Sequence, residues 1–440
     1  MTCPTCHVPS FPKLNDFGNL FRDRGYQMGT ENELPTHESI TMGYWPVSLR
    51  TTTGYQGSSL RVDGNQMTSS GFGFTGMDIL SFGILTRNVS FGIVFTPGLS
   101  GAGFQTGSSV NDGNLEAAYV RLDNLERFIG GGDKSYLLNL KVGRFELDSP
   151  FSEKRNSTLN TTFAMYHYQA GTPYTVHQAA ANATATYANP NSFIFGDNQN
   201  GLELSGFAEV PGTKKGYFRY SLTAVSNNTM GGTLQNGAGT GGNDMSFYGR
   251  VSQSFGGYGI VKGHRVGVFG ASGSAPTSAS SLCPDCLAVG TDARNFDRVG
   301  VDFSTTFASE WNLFGAWMHA NDDKELFAPA IATAQRATWN GAFAELDWSP
   351  AQFPVLNLPG MMLIYRYDMI RNETQGNSTF VKDYNDVNSH TFMVRYNFHY
   401  SPRTDIALHA EYNVSDVAKV GLLGGDQLEK TFLLGFDFAF

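Results

Sequence analysis

The chain has 440 residues, a formal net charge of −9, 51 glycines, 13 % aromatic residues and only 16 % charged residues. Length alone admits two or three domains, but so little charge beside so much glycine excludes disorder and does not fit an ordinary helical enzyme. The acidic balance leaves no basic footprint for nucleic acid, and no apolar run reaches the roughly 18 residues of a membrane-crossing helix.

The first 26 residues read "MTCPTCHVPSFPKLNDFGNLFRDRGY" and hold one Cys-x-x-Cys-His: Cys3, Cys6 and His7. This spacing lets two thiols add to the two vinyl groups of one haem while the adjacent His ligates the iron. A chance Cys-x-x-Cys forming a local disulfide or a weak metal site is the competing reading. Haem attachment needs the periplasm, so an export signal, none of which is visible before Cys3, is expected to have been removed. "FPKLNDFGNLFRDRGY" predicts one helix starting near Pro12, with Leu14, Phe17, Leu20 and Phe21 along one stripe and Gly25 at its end. That stripe suits a porphyrin face or a barrel wall equally. Residues 1–40 are too few to enclose a haem alone. Met28 and His37 are the nearest candidates for a sixth iron ligand, with Met42 and Met67 further off.

From residue 41 to 440 the signal changes to period-2 alternation. Val89, Phe91, Ile93 and Phe95 share one side of "VSFGIVF", and Ala118, Val120 and Leu122 oppose Tyr119, Arg121 and Asp123. Tyr136, Leu138, Leu140 and Val142 oppose Asn139 and Lys141; Val299, Val301 and Phe303 oppose Arg298, Asp302 and Ser304. Phe392, Val394, Tyr396 and Phe398 oppose Arg395, Asn397 and His399. A soluble sandwich also alternates. Here the apolar side gathers aromatics near strand ends, and the polar side carries both charge signs, which a watered lumen tolerates and a dry core does not. Short connections (86–88, 211–216, 401–405) alternate with long ones (97–113, 149–198, 227–243, 273–295, 322–335, 371–387).

The expected fold is all-β: a transmembrane antiparallel barrel of about 16 strands of about ten residues each. Short turns belong to the periplasm, long loops to the outside, and both termini to the periplasm. "TFLLGFDFAF" puts Phe432, Leu434, Phe436, Phe438 and Phe440 on one face, like the terminal signal strand of outer-membrane barrels. A barrel this wide leaves room for a short N-terminal helical haem c segment as plug.

An N-terminal "CPTCHVPSFPKLNDFGNLFRDRGYQ" ahead of such a barrel resembles the fused monohaem cytochrome–porins of the bacterial outer membrane. The best-known members are outer-membrane iron oxidases. The likeness is motif-based over residues 3–26 and architectural beyond them. It implies one covalent haem c on Cys3 and Cys6 with His7 as proximal ligand. It further implies an outer-membrane electron conduit between extracellular iron and a periplasmic c-type cytochrome or other carrier. A passive porin with an N-terminal plug, and outward electron disposal to an extracellular acceptor, are the alternatives. A haem peroxidase would need a distal acid–base constellation that the sequence does not display.

In a long loop, "SLCPDC" holds Cys283 and Cys286 without a following His. Two thiolates make an incomplete zinc site, so a short-range disulfide is expected, with a redox-active pair as the other reading. Asp285, Asp322, Asp323 and Glu325 are acids that can attract ferrous ions or simply lie solvated. Arg121, Lys141, Arg219, Arg250, Arg366 and Arg395, against Asp123, Asp302, Glu345, Asp368 and Glu411, are expected to form a cross-lumen ladder holding the plug. The competing view makes them a solute-selective constriction.

Overall fold

The computed structural model describes residues 6–7, 13–27, 47–62, 64–97, 114–130, 136–168, 170, 174, 195–196, 198–213, 216–226, 245–259, 262–276, 293–323, 336–350, 360–374, 385–400, 404–420 and 425–439. Cys3, Met28, His37, Met42, Cys283, Cys286, Asp285, Glu325 and Phe440 lie outside them.

Sixteen antiparallel strands close into one barrel. The first half is β1 (Val47–Val62), β2 (Asn65–Thr86), β3 (Val89–Thr96), β4 (Asn114–Leu122), β5 (Asn139–Glu146), β6 (Asn198–Glu209), β7 (Tyr217–Ser226) and β8 (Met245–Phe255). The second is β9 (His264–Pro276), β10 (Ala293–Phe307), β11 (Trp311–Asp322), β12 (Ala337–Trp348), β13 (Met361–Thr374), β14 (Val387–Tyr400), β15 (Asp405–Val420) and β16 (Gly425–Ala439). Each strand pairs with its neighbours in sequence, and β16 returns to β1 from Arg50↔Ala439 to Val62↔Gln427. Closure pairs the backbone groups that an open edge would leave bare in lipid.

Alternation sets the facing. On β10, Val299, Val301 and Phe303 are 57 %, 49 % and 40 % exposed, whereas Arg298, Asp302 and Ser304 are 6 %, 4 % and 1 % exposed. On β16, Phe432, Leu434 and Phe436 point outward as expected. At the end carrying the short turns, Phe307, Trp311 and Trp348 stack in succession, with centroids 6.2 and 5.1 Å apart, as one arc of an interfacial girdle. An apolar exterior between such girdles is a lipid-facing surface.

Four expectations need correction. First, long and short connections do not alternate strictly. β1 ends at Val62 with β2 beginning at Asn65, and β15 ends at Val420 with β16 beginning at Gly425, both at the long-loop end, while β4–β5 spends 123–138, including a 3-10 turn at Leu125–Ile129, at the other. Second, Tyr136 does not share a face with Leu140 and Val142. Its φ of +52° ends the extended chain, its ring is buried, and β5 begins only at Asn139. Third, His399 is exposed rather than luminal, because a bulge between Asn397 and His399 shifts the register by one residue.

The fourth correction concerns the lumen. The described residues 147–168 of the fifth connection enter it instead of standing outside. Its short helix α2 (Ala164–His167) packs on β12 and β13. Phe151, Phe163, Met165, Tyr166 and Tyr168 form a buried cluster with inward-facing Tyr248, Phe269, Phe314, Met318, Trp339 and Phe343. One side of the lumen is therefore dry, which no outer loop would need. Glu411 pins the segment by accepting from the Leu159 and Asn160 backbone N–H groups (2.7 and 3.1 Å) and from the Thr161 hydroxyl (2.7 Å). Asp368 accepts from Ala164 N–H (3.0 Å), and Arg366 donates to Thr158, Thr161 and the Thr162 carbonyl.

The facing carries a measurable consequence. Val301→Arg should destabilise the barrel by about 2–4 kcal/mol, the cost of a guanidinium near the bilayer midplane. Ser272→Arg, on the outward polar rim where Ser272 donates to Asp297 (2.7 Å), should cost about 0–1 kcal/mol. Inward Ser304 is not the mild control the alternation suggests, because it donates to Gly259 in a packed, buried site. Equal costs for Val301→Arg and Ser272→Arg in reversible unfolding in lipid would show the facing to be wrong.

Candidate functional site

The helix α1 (Asp16–Asp23) starts four residues later than Pro12 suggests, since Asn15 caps it by accepting from Gly18 N–H (2.9 Å). The same Asn15 clips Cys6 and His7 against the helix. Its backbone N–H donates to the Cys6 carbonyl (2.8 Å), its side-chain amide to the His7 carbonyl (3.4 Å), and His7 bridges Leu14. Gly18 is required here, because any Cβ would overlap the Cys6 carbonyl oxygen. Gly25, at φ +63°, ends the helix, and a side chain there would collide with the Asp123 carboxylate.

The helix does not pack its apolar stripe on the wall. Its buried residues are Gly18, Asn19 and Asp23, while Phe17 is 36 % exposed and Leu14 and Phe21 line a cavity. Polar groups do the anchoring. Lys13 reaches Glu345 (2.7 Å) and Asp347 (2.6 Å) on β12. Burial works against its charge, but Asp347 and Glu345 outweigh it and raise the Lys13 ammonium. Asp16 accepts from Tyr258 N–H (2.9 Å) beside the β8–β9 turn. Arg121 donates to the Arg22 and Asp23 carbonyls (3.0 and 2.6 Å), Arg219 pairs with Asp23 (3.1 Å), and Gln27 reaches Asp123 (3.4 Å). α1 is thus a plug held near the short-turn end of the lumen.

The charge ladder has two jobs, not one. Arg121, Arg219 and Asp123 hold the plug, together with Glu345 through Lys13. Arg366, Asp368 and Glu411 hold the inward segment. Arg250 and Asp302 pair with each other (2.8 Å), Lys141 with Glu203 (2.6 Å), and Arg395 with Asp405 and Asp437 (3.5 and 3.4 Å). Sequence reasoning found most of these charges but missed Lys13, Asp23, Glu203, Asp347, Asp405 and Asp437. Phe151, Phe163, Tyr166 and Tyr168 were a signal that the fifth connection goes inside, since solvent rewards no such aromatic density.

Between plug, inward segment and the wall from β1 to β9 lies a cavity of about 620 Å³, lined by both Cys6 and His7. That volume is ordinary for a bound organic cofactor. Leu14, Phe21, Leu49, Leu80, Phe82 and Val94 supply apolar lining; Arg22, Arg50, Lys154 and Arg155 supply cations. Cys6 brings one of the two thiols that a haem c requires and His7 the imidazole, and the apolar lining and cations suit a porphyrin with carboxylates; the described residues fit that group as far as they go, the second thiol, Cys3, lying outside them. Met67 does not share the site. It is exposed on β2 near the β1–β2 turn, at the opposite end of the barrel.

The acidic iron-attracting reading loses Asp322, which is buried, paired with Arg298 (2.7 Å) and accepts from the Trp339 indole (2.9 Å). Asp323 pairs with Arg336 (3.4 Å) and accepts from Asn295 N–H (2.9 Å). Among the described residues, no three His, Cys, Asp or Glu side chains converge on a metal position.

No family model and no curated protein matches the sequence. Solved structures do match. The anion-selective porin from Comamonas acidovorans aligns at 12 % identity over 90 % of this chain and 99 % of its own, with a TM-score of 0.51. Pseudomonas putida OprB, in its high-pH structure, aligns at 11 % identity over 92 % and 96 %, with a TM-score of 0.50. Likeness at this identity shows the fold alone, and the fold is that of the outer-membrane porins.

Proposed function

We propose that this barrel sits in the bacterial outer membrane, termini toward the periplasm, and serves as an electron conduit through one covalent haem c. One observation carries the reading: Cys6 and His7, the residues that would attach and ligate the iron, line a lumen cavity of porphyrin-compatible size and chemistry. A haem c there would supply a one-electron Fe(III)/Fe(II) couple. Cys3 and Cys6 would tether it and His7 would ligate the iron, with Met28 or His37 as sixth-ligand candidates. The Asn15 clip fixes the Cys6–His7 backbone, and the ion pairs of Lys13 and Asp23 hold the plug in register with the wall. The Phe151–Phe163–Phe343 cluster keeps water off one side of the cavity.

Ferrous iron as extracellular donor, and a periplasmic c-type cytochrome as acceptor, rest on the resemblance of residues 3–26 to the cytochrome–porins. Outward electron disposal uses the same parts in reverse. The porin neighbours bear more directly on a second reading, a passive diffusion channel with an N-terminal plug. That reading is also supported by the cations lining the cavity, which would suit small anions, and the Comamonas neighbour is an anion-selective porin.

Haem staining of a denaturing gel separates the readings. Protein from a host with intact cytochrome maturation should stain at the position of the chain, and its visible spectrum should reduce on addition of ferrous iron. An unstained band would leave the diffusion channel standing. A stained band that iron cannot reduce would retain the haem and reject iron as donor.

A further inference from the structure

The connection between β4 and β5 is the longest at the short-turn end, and its described part holds two large apolar side chains in the open. Phe128 is 71 % exposed and Ile129 78 %. Single exposed apolar residues are ordinary, but here the backbone that presents them is braced from beneath. Glu126 is buried, and its two carboxylate oxygens accept from the Leu137 and Leu138 N–H groups (both 3.0 Å). Leu125 N–H donates to the Leu138 carbonyl (2.8 Å). Asn124, at φ +55°, accepts from Tyr136 N–H (2.8 Å) and donates from its amide to Asn88 in the β2–β3 turn (2.8 Å). Fixing a chain costs conformational entropy, and these contacts commit buried polar groups to a turn whose apolar residues the barrel leaves uncovered. Adjacent exposed apolar side chains beside polar ones mark an interaction surface.

That surface is continuous with the lipid-facing one. Tyr220, between outward Phe218 and Leu222 on β7, donates its hydroxyl to the Leu137 carbonyl (2.7 Å), and Leu137 is itself exposed. Near this end β4 and β5 bring only aliphatic residues outward, Leu122 opposite Leu140 and Val120 opposite Val142. The girdle arc of Phe307, Trp311 and Trp348 thus has no aromatic counterpart on these two strands, and Phe128 supplies one from the connection. The charges of the two adjoining connections divide by sign. Asp123 and Glu126 are buried, whereas Arg87 and Arg127 are exposed, the Arg127 guanidinium lying over the Phe128 ring (4.6 Å). An apolar wedge beside cations matches acyl chains under anionic headgroups. Two side chains fall well short of the roughly 800 Å² per partner that a stable protein interface buries, whereas a leaflet needs only the wedge and the charge.

We propose that the turn Leu125–Ile129 is an interfacial anchor: Phe128 and Ile129 enter the phospholipid leaflet on the short-turn side, and Arg127 and Arg87 pair with its phosphates. Asn88 also donates its backbone N–H to Gln27 of the plug (3.1 Å), so the anchor steadies the wall where the plug docks. The inference is independent of what the lumen carries, haem or solutes.

The test uses the full chain in vesicles of phosphatidylethanolamine with or without phosphatidylglycerol, with heat-modifiable gel mobility as the check of folding. The photoreactive group p-benzoylphenylalanine, placed at Phe128, should crosslink to phospholipid as efficiently as the same group at lipid-facing Val301. Placed at Lys262, in the β8–β9 turn, it should give no lipid adduct. The thermal unfolding midpoint of the intact chain should rise with phosphatidylglycerol, and a variant carrying both Arg87→Gln and Arg127→Gln should lose most of that rise. Absence of a lipid adduct at Phe128, while Val301 gives one, would overturn the proposal. So would an adduct joining two copies of the chain, or one with a soluble protein in intact cells, since each would make the turn a protein interface. A rise with phosphatidylglycerol that persists undiminished in the double variant would overturn the pairing with phosphates. Should the double variant fail to assemble, the crosslink, made in an otherwise native chain, still decides.

Discussion

Removing residues 1–40 should leave a folded barrel whose single-channel conductance rises several-fold over that of the intact chain. The plug contributes no strand to the closed β1–β16 sheet, so backbone pairing survives its loss. What it contributes is bulk near the short-turn end and one half of several buried ion pairs. Its loss would take Asp23 from Arg219 and Lys13 from Glu345, but Arg219 keeps Asp148 and Glu345 keeps Arg366 (3.6 Å) as partners. A buried charge in a dry core could not be abandoned so cheaply. The intact chain should show the same opening in acid. Burial opposes ionisation of Asp23, yet Arg219 and Arg22 hold its carboxyl below the ordinary value; burial likewise opposes Asp148, and Arg219 and Arg250 hold it lower still. A depressed carboxylate gives its full anchorage above its unfolded pKa and loses it as pH falls through the folded one. The plug should therefore stay seated at neutral and mildly acid pH and release only below about pH 4. Opening near about pH 6.5 would point to a histidine instead. A deletion variant with wild-type conductance would mean that the inward segment alone sets the pore.

The barrel was legible because lipid outside and charge inside impose one simple rule on every residue of a strand. Val301 and Asp302 show that rule at work, and β10 follows it from Asn295 to Ser304. It failed at Tyr136 and His399 for local backbone reasons, a positive φ and a bulge, which period-2 counting cannot see. The lumen was less legible. Arg366 and Glu411 were visible as inward charges, but their partners, Thr161 and the 159–160 backbone, lie some 200 to 250 residues away in a connection whose destination no periodicity encodes. Lys13 was missed because a lone lysine beside a helix reads as solvated until Glu345 and Asp347 appear beneath it. The candidate site was half legible. The spacing of Cys3, Cys6 and His7 suggests a haem attachment by itself, whereas Leu80, Phe82, Arg22 and Arg155 come to line one cavity with Cys6 and His7 only once the chain has closed on itself.

That division makes His7 the sharpest place to separate conduit from channel. His7→Ala should keep the covalent attachment, because Cys3 and Cys6 are untouched and the Asn15 contacts use the Cys6 and His7 backbone carbonyls rather than the imidazole. The gel band should therefore still stain, heat-modifiable mobility should persist, and small-ion conductance should match the intact chain. The visible spectrum should nevertheless lose the signature of an imidazole-ligated iron. In proteoliposomes, reduction by ferrous iron added outside, and reoxidation by a c-type cytochrome enclosed at the other face, should fall to background. Cys6→Ala should go further and weaken or remove the stain itself. A passive porin predicts the opposite pattern: solute flux is its only activity, and neither substitution would alter it except by loosening the plug. Wild-type haem that accepts electrons only from the enclosed side would reverse the direction without moving the site. Haem that stays oxidised with every donor on both sides, in barrels of known orientation, would defeat the conduit and leave the porphyrin as a structural staple between plug and wall.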